Sequence, residues 1–178
     1  TPSISQSSEN QLSLIKLGGR VGHLGNDFEI FFDHPLPRFA PPNTQVYHAK
    51  SKRGQMCLAF LSDRSTIPRK NISEKYTSLQ SIYLPRLLGR GIAISPEGVE
   101  RHAFIYENNF GNPIVSGGSE PQAYGWRPDL VLQTIIKPIL STLQELHNAD
   151  MTHGGIRVNN LFDSGTLPLQ RVIIGDCL

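Results

Sequence analysis

The chain has 178 residues, which is enough for one domain of ordinary size or for one domain and part of another. Hydrophobic residues make up 38% of it, sufficient for a sizeable core, and 17 Lys and Arg residues nearly balance 15 Asp and Glu residues. The basic residues are scattered and form no run of five like charges. This distribution argues against a nucleic-acid partner and against binding to an anionic membrane surface.

The two cysteines, Cys57 and Cys177, predict free thiols in a reducing compartment rather than a disulfide scaffold, so we expect a cytoplasmic protein. No apolar run approaches the length of a membrane span and no signal peptide is visible, so we expect no membrane segment. The chain starts at Thr1 and stops shortly after an apolar run, which favours a piece of a longer protein.

Residues 1–26 are predicted to be disordered or linker. The first ten residues are polar and rich in Ser. The segment that follows contains Gly18, Gly19, Gly22 and Gly25, but it does not match the phosphate-binding pattern G-x-G-x-x-G. A flexible linker with turns is therefore the expected structure.

Residues 27–110 predict a small antiparallel sheet with one helix. Five apolar runs bounded by turn residues predict strands, at 28–32, 44–49, 56–61, 84–94 and 101–106. Gly54 lies in the turn between the second and third runs, where its tolerance of positive φ favours a hairpin. A short helix is predicted over 71–82, with Asn71 as its N-cap and Glu74 returning a bond to the cap.

Residues 111–128 are predicted to form a connector, because most of this segment is rich in Asn, Gly, Ser and Pro. From residue 129 onward, apolar residues recur with a period near 3.6, which predicts a long helix. Pro138 lies inside this pattern and should kink the helix or start its second half. A polar loop with one His and two Asn follows, and an apolar run at 172–174 predicts a short buried strand.

This order of elements resembles a protein kinase up to its metal-binding strand. The sharpest similarity is HGGIRVNNLF, which is similar to the kinase catalytic loop H-R-D-L-x-x-x-N followed by two apolar residues. His153 stands at the His position, Arg157 at the usual Lys, and Asn160 at the magnesium-binding Asn. Downstream, IIGDCL is similar to the strand that leads into D-F-G, with Asp176 at the Asp position.

A weaker similarity lies in the first half of the chain. The segment LAFL at 58–61 is similar to V-A-I-K on the third kinase strand, and IYEN at 105–108 is similar to the strand that enters the adenine-binding hinge. The resemblance therefore implies an adenine pocket that includes Ala59, Glu107 and Asn108.

The chain thus resembles the protein kinase-like superfamily, and in particular bacterial serine/threonine-kinase-like pseudokinases, truncated after the D-F-G-like strand. The resemblance implies an α+β, bilobal fold. Its antiparallel-sheet N-lobe, with one helix, would occupy 27–110, and the first part of a helical C-lobe would occupy 129–178. It also implies ATP and Mg²⁺ as the cofactors to test, with Asn160 and Asp176 as candidate Mg²⁺ ligands.

Several departures from the kinase pattern bear on activity. Gly155 occupies the position of the catalytic Asp, and a glycine can neither orient a hydroxyl nor accept its proton. Leu61 occupies the position of the Lys that neutralises phosphate charge. There is no glycine between Gly25 and Gly54, so the glycine-rich loop over the phosphates is absent in its usual form. The D-F-G position reads D-C-L, which loses both Phe and Gly.

Two functions follow from the resemblance and its departures. One is a catalytically impaired pseudokinase that regulates or scaffolds a protein partner, with weak or no nucleotide binding. The alternative is a divergent active serine/threonine kinase that uses ATP and Mg²⁺ with substitute residues. In that case Lys50 or Lys52 would replace the phosphate clamp, and Asp150 or Asp163 would replace the carboxylate.

No residue is assigned as catalytic, and the polar residues of the loop have alternative roles. We expect His153 and Arg157 to shape the loop, although the ordinary pKa of a histidine would also suit a general base. Asn160 either binds Mg²⁺ or braces the loop through hydrogen bonds to the backbone. Asp176 either binds Mg²⁺ or is a solvated residue at the end of a strand. The sequence leaves these alternatives open.

Overall fold

The computed structural model of the chain describes residues 19–63, 65, 69–79, 81–114, 127–164 and 171–175. Its strands are β1 Val21–Leu24, β2 Phe28–Pro35, β3 Thr44–Ser51, β4 Met56–Ser62, β5 Leu87–Ile94, β6 Glu100–Glu107, β7 Leu161–Asp163 and β8 Val172–Ile174. Its α-helices are α1 Lys70–Thr77, α2 Pro128–Val131 and α3 Lys137–Asn148. Short 3₁₀ turns lie at Pro37–Phe39 and Val158–Asn160, and a π-helical turn, Leu132–Ile136, joins α2 to α3.

Six strands form one antiparallel sheet in the order β1-β2-β3-β4-β6-β5, and the sheet curls until β1 contacts β5. Two glycines of β5 permit this approach. A Cβ atom on Gly89 would lie 2.5 Å from Cε2 of Phe28, and one on Gly91 would lie 2.9 Å from Cδ1 of Leu24. Any larger residue at these two positions would therefore push the first two strands away from β5.

The curled sheet separates two hydrophobic cores, because successive side chains of a strand point to opposite faces. In β4, Cys57, Ala59 and Leu61 face the interior of the curl. Leu58 and Phe60 face the opposite side. The interior core consists of Leu24, Ile30, Phe32, Tyr47, Ala49, Cys57, Ala59, Leu61, Ala93, Ala103 and Ile105.

The outer core joins the sheet to α1 and to the second half of the chain. Tyr106 of β6 packs edge-on against Phe60 and also contacts Tyr76 of α1, with ring centroids 5.1 and 6.3 Å apart. The same cluster contains Leu146 of α3 and Phe162 of β7. Helices α1 and α3 therefore lie on the outer face of the sheet, and the described residues of the interior core all belong to strands.

The predicted α+β class is confirmed, and so are the main strands. The hairpin of β3 and β4 turns at Gly54, whose φ is 84°, as the sequence indicated. Pro138 lies in the first turn of α3, so it starts the second half of the long helix. Because proline has no N–H, it breaks the regular α-helical ladder, and the π-helical turn lies just before it.

The prediction that residues 1–26 are linker is wrong for β1. Residues 21–24 pair antiparallel with β2, and Gly25, with φ of 57°, makes the turn between the two strands. The glycines that favoured a linker instead allow a tight turn and close packing, because Gly22 lies directly under the Phe32 ring. Residues 1–18 lie outside the described part of the chain.

The predicted N-cap of the first helix is also wrong. Helix α1 begins at Lys70, its N-cap residue is Arg69, and no side chain caps it. The helix ends at Thr77 rather than 82. Glu74 does not return to the helix start, because its Oε1 accepts a hydrogen bond from Nη2 of Arg90 at 3.1 Å. Glu74 therefore forms an ion pair with Arg90 of β5 and not the predicted capping box.

Candidate functional site

The loop that follows α3 leaves the helix through a sharp turn. Asp150 has a φ of 53°, in the left-handed region, and the N–H of Met151 donates to the carbonyl of Leu146 at 2.9 Å. Both Met151 and Leu146 are buried. The turn therefore anchors the start of the loop in the outer core and directs the following residues toward β8.

His153 is held inside the protein, only 2% exposed, by one hydrogen bond at each ring nitrogen. Its Nδ1 accepts from the N–H of Gly155 at 3.2 Å, so we assign the proton to Nε2, which lies 3.1 Å from the Gly175 carbonyl. Burial lowers the pKa of His153 to about 4, against the opposing effect of the bond to Gly175. The ring is therefore neutral near pH 7, and its two nitrogens bond the backbone of Gly155 in the loop and of Gly175 after β8.

Asn160 joins the two ends of the loop. Its Nδ2 donates to the Gly155 carbonyl at 2.8 Å, and its own carbonyl accepts from the N–H of Gly175 at 2.8 Å. A Cβ atom on Gly175 would overlap Oδ1 of Asn160 and lie 2.9 Å from the Phe162 ring, so only glycine fits there. The bracing contact that the sequence left open is thus present in the structure.

Only one of the two predicted Mg²⁺ ligands lies within the described residues. Asn160 is described, whereas Asp176 lies outside the described residues. Within the described ranges, no group of three or more His, Cys, Asp or Glu side chains is placed to hold a metal ion. Magnesium binding therefore remains a prediction.

Gly155 and Arg157 contribute to the loop through their backbones. The N–H of Gly155 bonds His153, and its carbonyl bonds Asn160, so both of its polar groups are used. The carbonyl of Arg157 accepts from the N–H of Asn160 at 2.9 Å, while its side chain is exposed. Gly155, which the sequence resemblance aligned with the catalytic Asp, therefore has both backbone polar groups bonded within the loop.

Arg69, at the start of α1, holds the loop from the other side. Its Nη1 donates to the Thr152 carbonyl and its Nη2 to the His153 carbonyl, each at 3.0 Å. At the other end of α1, Nζ of Lys75 lies 3.9 Å from the exposed carboxylate of Asp150. Sequence reasoning missed Arg69, because more than eighty residues separate it from its partners and no local motif marks it.

Three phenylalanines, hereafter the aromatic cluster, fill the space beside this loop. They are Phe39 from the 37–39 turn, Phe110 just after β6, and Phe162 of β7. The centroid of Phe39 lies 5.6 Å from that of Phe110 and 5.4 Å from that of Phe162, and the last two lie 5.1 Å apart. All three rings are buried, with Phe162 only 1% exposed.

The start of the connector is fixed against β7 beside the aromatic cluster. The N–H of Gly111 donates to the Asp163 carbonyl at 2.8 Å, and the N–H of Ile114 donates to the Leu161 carbonyl at 2.9 Å. β7 also pairs with β8. The connector, β7 and β8 therefore lie side by side, and the aromatic cluster packs against this layer.

Of the predicted adenine-pocket residues, Ala59 lies in β4, and Glu107 of β6 pairs with Cys57 of the same strand. Ala59 lies in the interior core, on the face of β4 opposite to Phe162, and Leu61 lies there too. Glu107 ends β6, and Asn108, the next residue, is exposed. Because successive side chains of a strand point to opposite faces, an error of one residue in aligning LAFL with V-A-I-K would move Ala59 to the other face of the sheet.

The substitute residues of the active-kinase hypothesis also lie apart. Lys50 and Lys52 line a cavity at the tips of the β1–β2 and β3–β4 hairpins, together with residues 23 and 25–29. Asp163 is buried, and its Oδ1 accepts from the N–H of Asn112 at 3.0 Å. Asp150 is exposed at the end of α3. Neither carboxylate lines the cavity that the two lysines share.

Comparison of the chain with protein-family models and with curated proteins finds no match in either set. Among the described helices, none has the length and apolar character needed to cross a membrane.

Proposed function

We propose that the chain is a protein-kinase-like, bilobal domain that is catalytically impaired and serves as a regulatory or scaffolding module for a protein partner. The aromatic cluster carries the proposal. In a kinase-like fold, adenine binds between the hinge, the loop over the phosphates and the strand after the catalytic loop. Under this proposal the corresponding segments are residues 108–114, the 36–43 segment and β7, and Phe110, Phe39 and Phe162 of these segments pack against one another.

The order of elements supports a kinase-like fold. A strand is followed by a helix that carries an acid, by two further strands and by a connector. A long helix, a polar loop and a two-stranded ribbon complete the sequence of parts. In an active kinase, the helix acid pairs with a strand lysine that binds phosphate. Here Glu74 pairs with Arg90 of β5 instead, and Leu61 is enclosed in the interior core.

The chemistry of the loop supports impairment. Phosphoryl transfer needs a carboxylate that orients the attacking hydroxyl and accepts its proton. Gly155 has no side chain, and the neutral ring of His153 uses both nitrogens within the loop. The alternative of a divergent active kinase therefore depends on Asn160 and Asp176. Its substitute phosphate-binding lysine and its substitute carboxylate do not lie together.

Thermal unfolding of the whole chain with ATP and Mg²⁺ tests the proposal. A ligand at a hundred times its Kd adds about 2.7 kcal/mol to the stability of the folded state, so bound nucleotide would raise Tm by several degrees. We expect Tm to stay unchanged up to millimolar ATP. The Asp176→Ala variant is the control for the predicted metal position. A Mg²⁺-dependent rise in Tm that this variant abolishes would contradict the proposal and favour the divergent kinase.

A further inference from the structure

A cavity of about 610 Å³, hereafter the junction cavity, lies where four parts of the chain meet. These parts are the end of α1, the 79–87 segment, the end of β6 with the connector, and the residue before β8. Its volume falls within the range of ligand-binding pockets. It shares no lining residue with the aromatic cluster or with the 151–160 loop, so it is a separate feature.

Three charged residues line the junction cavity. Arg86, Arg171 and Glu107 all line it, and none of them forms an ion pair with another described residue. Two arginines and one glutamate therefore line the same concave surface. A guanidinium group presents a fork of donors that matches a carboxylate, so the excess positive charge favours an acidic ligand.

Two buried polar atoms in the cavity wall add to this argument. Oδ1 of Asn109 and Nε of Arg171 have no hydrogen-bond partner within the described part of the chain. Buried polar groups without partners are uncommon in folded proteins. Oδ1 of Asn109 needs a hydrogen-bond donor, and the Nε–H of Arg171 needs an acceptor. A peptide supplies both kinds of group, whereas a simple anion supplies acceptors alone.

The remaining wall of the junction cavity is apolar. Leu79 and Leu87 are partly buried against the outer core, and Tyr76 lies beneath them with its hydroxyl bonded to the Pro85 carbonyl at 2.7 Å. Ile82, at the opening, is 60% exposed. An aliphatic side chain entering the cavity would cover this apolar surface and displace water from it.

We propose that the junction cavity binds a short acidic segment of a protein partner. An aliphatic side chain of that segment packs on Leu79 and Leu87, and a neighbouring carboxylate pairs with Arg86 and Arg171. This inference names a contact of the scaffolding module, and so it rests on the proposed function in requiring a protein partner. It does not require that the fold be kinase-like.

The test is a titration of the ¹⁵N-labelled whole chain with acetyl-Leu-Glu-Leu-amide, followed through backbone amide shifts. The neutral peptide acetyl-Leu-Gln-Leu-amide is the matched ligand. We expect saturable shifts at residues 79–87, 107–109 and 171, and about tenfold weaker binding of the neutral peptide. Replacement of both Arg86 and Arg171 by Gln should also weaken binding of the acidic peptide by about tenfold. Arg53→Gln, in the exposed β3–β4 turn, should leave binding unchanged.

Equal binding of the two peptides, absence of saturable shifts, or shifts confined to other surfaces would overturn the inference. If the double variant fails to fold, as judged by circular dichroism, the two peptides compared on the unaltered chain still decide the result. ATP with Mg²⁺ is added to a parallel sample. Shifts caused by nucleotide alone would count against the proposed function, while failure of the acidic peptide alone would count against the junction cavity.

Discussion

Two side chains of the loop after α3, His153 and Asn160, bond the protein backbone. His153 accepts a hydrogen bond from the N–H of Gly155 and donates one to the carbonyl of Gly175, while Asn160 donates to the carbonyl of Gly155. These contacts fix a loop of ten residues that contains two glycines and little regular structure. At the scale of single residues, the loop is therefore stabilised by polar contacts rather than by a hydrophobic side-chain pattern.

The lowered pKa of His153 predicts a loss of stability in acid. The unfolded chain takes up a proton on His153 as the pH falls through 6.5, whereas the folded protein keeps the ring neutral down to about 4. Between these values the unfolded state binds more protons, so the free energy of unfolding falls as the pH falls, and this effect levels off below about 4. The total loss from this residue is at most about 3 kcal/mol.

Urea unfolding at neutral pH and at about pH 4.5 measures this effect. The His153→Asn variant cannot titrate in this range, so its stability should fall less between the two conditions than that of the unaltered protein. His23 is exposed in β1, and His23→Asn should leave the full loss in place. Equal losses in the unaltered protein and in His153→Asn would show that the buried ring does not govern the response.

The shaping role of His153 could be predicted from the sequence, because the similarity to a kinase loop marked it as a structural histidine. The contacts of Arg69 could not be predicted. Its two backbone partners, Thr152 and His153, are distant in sequence, and a single arginine before a helix carries no information about them. Side chains that act across the fold escape local pattern reasoning.

At the scale of secondary structure, the strands were predictable where side chains alternate and turn residues bound them. β1 was missed because its sequence is short and rich in glycine, which lowers strand propensity. Tertiary contacts decide its structure, since it pairs with β2 and lies against β5. The faces of β4 could not be predicted, because the motif similarity gave no independent measure of register.

Gly89 of β5 gives a test of this packing. Gly89→Ala places a methyl group against the Phe28 ring and should destabilise the protein by about 1–3 kcal/mol. Phe28→Leu alone should also destabilise it, but the double variant should lose less than the sum of the two, because the smaller side chain makes room. Chemical denaturation of the four proteins gives the coupling energy directly. Additive losses would mean that the two residues do not compete for the same space.

At the scale of the whole molecule, polar contacts join α1 to the loop after α3. Arg69 bonds the carbonyls of Thr152 and His153, and Lys75 lies near Asp150 at the other end of the helix. Any shift of α1 relative to the loop would break the Arg69 bonds first. The position of the helix and the conformation of the loop are therefore coupled.

Arg69→Gln should lower the free energy of unfolding by about 1–3 kcal/mol, because two backbone carbonyls lose a charged donor. It should also speed amide hydrogen exchange across residues 151–160 more than elsewhere. Arg127→Gln is the control, since its ion pair with Asp129 is largely exposed and should contribute less than about 1 kcal/mol. Unchanged protection of the loop in Arg69→Gln would contradict the coupling.

The contact between β1 and β5 has a consequence for solubility. These are the two outer strands of the sheet, and each carries backbone groups that no neighbouring strand pairs within the described residues. Free strand edges can recruit strands from other chains and start aggregation. Because the sheet curls, each edge of this protein is turned toward the other and is partly shielded. We therefore expect the glycines that let the strands approach also to reduce self-association through the sheet edges.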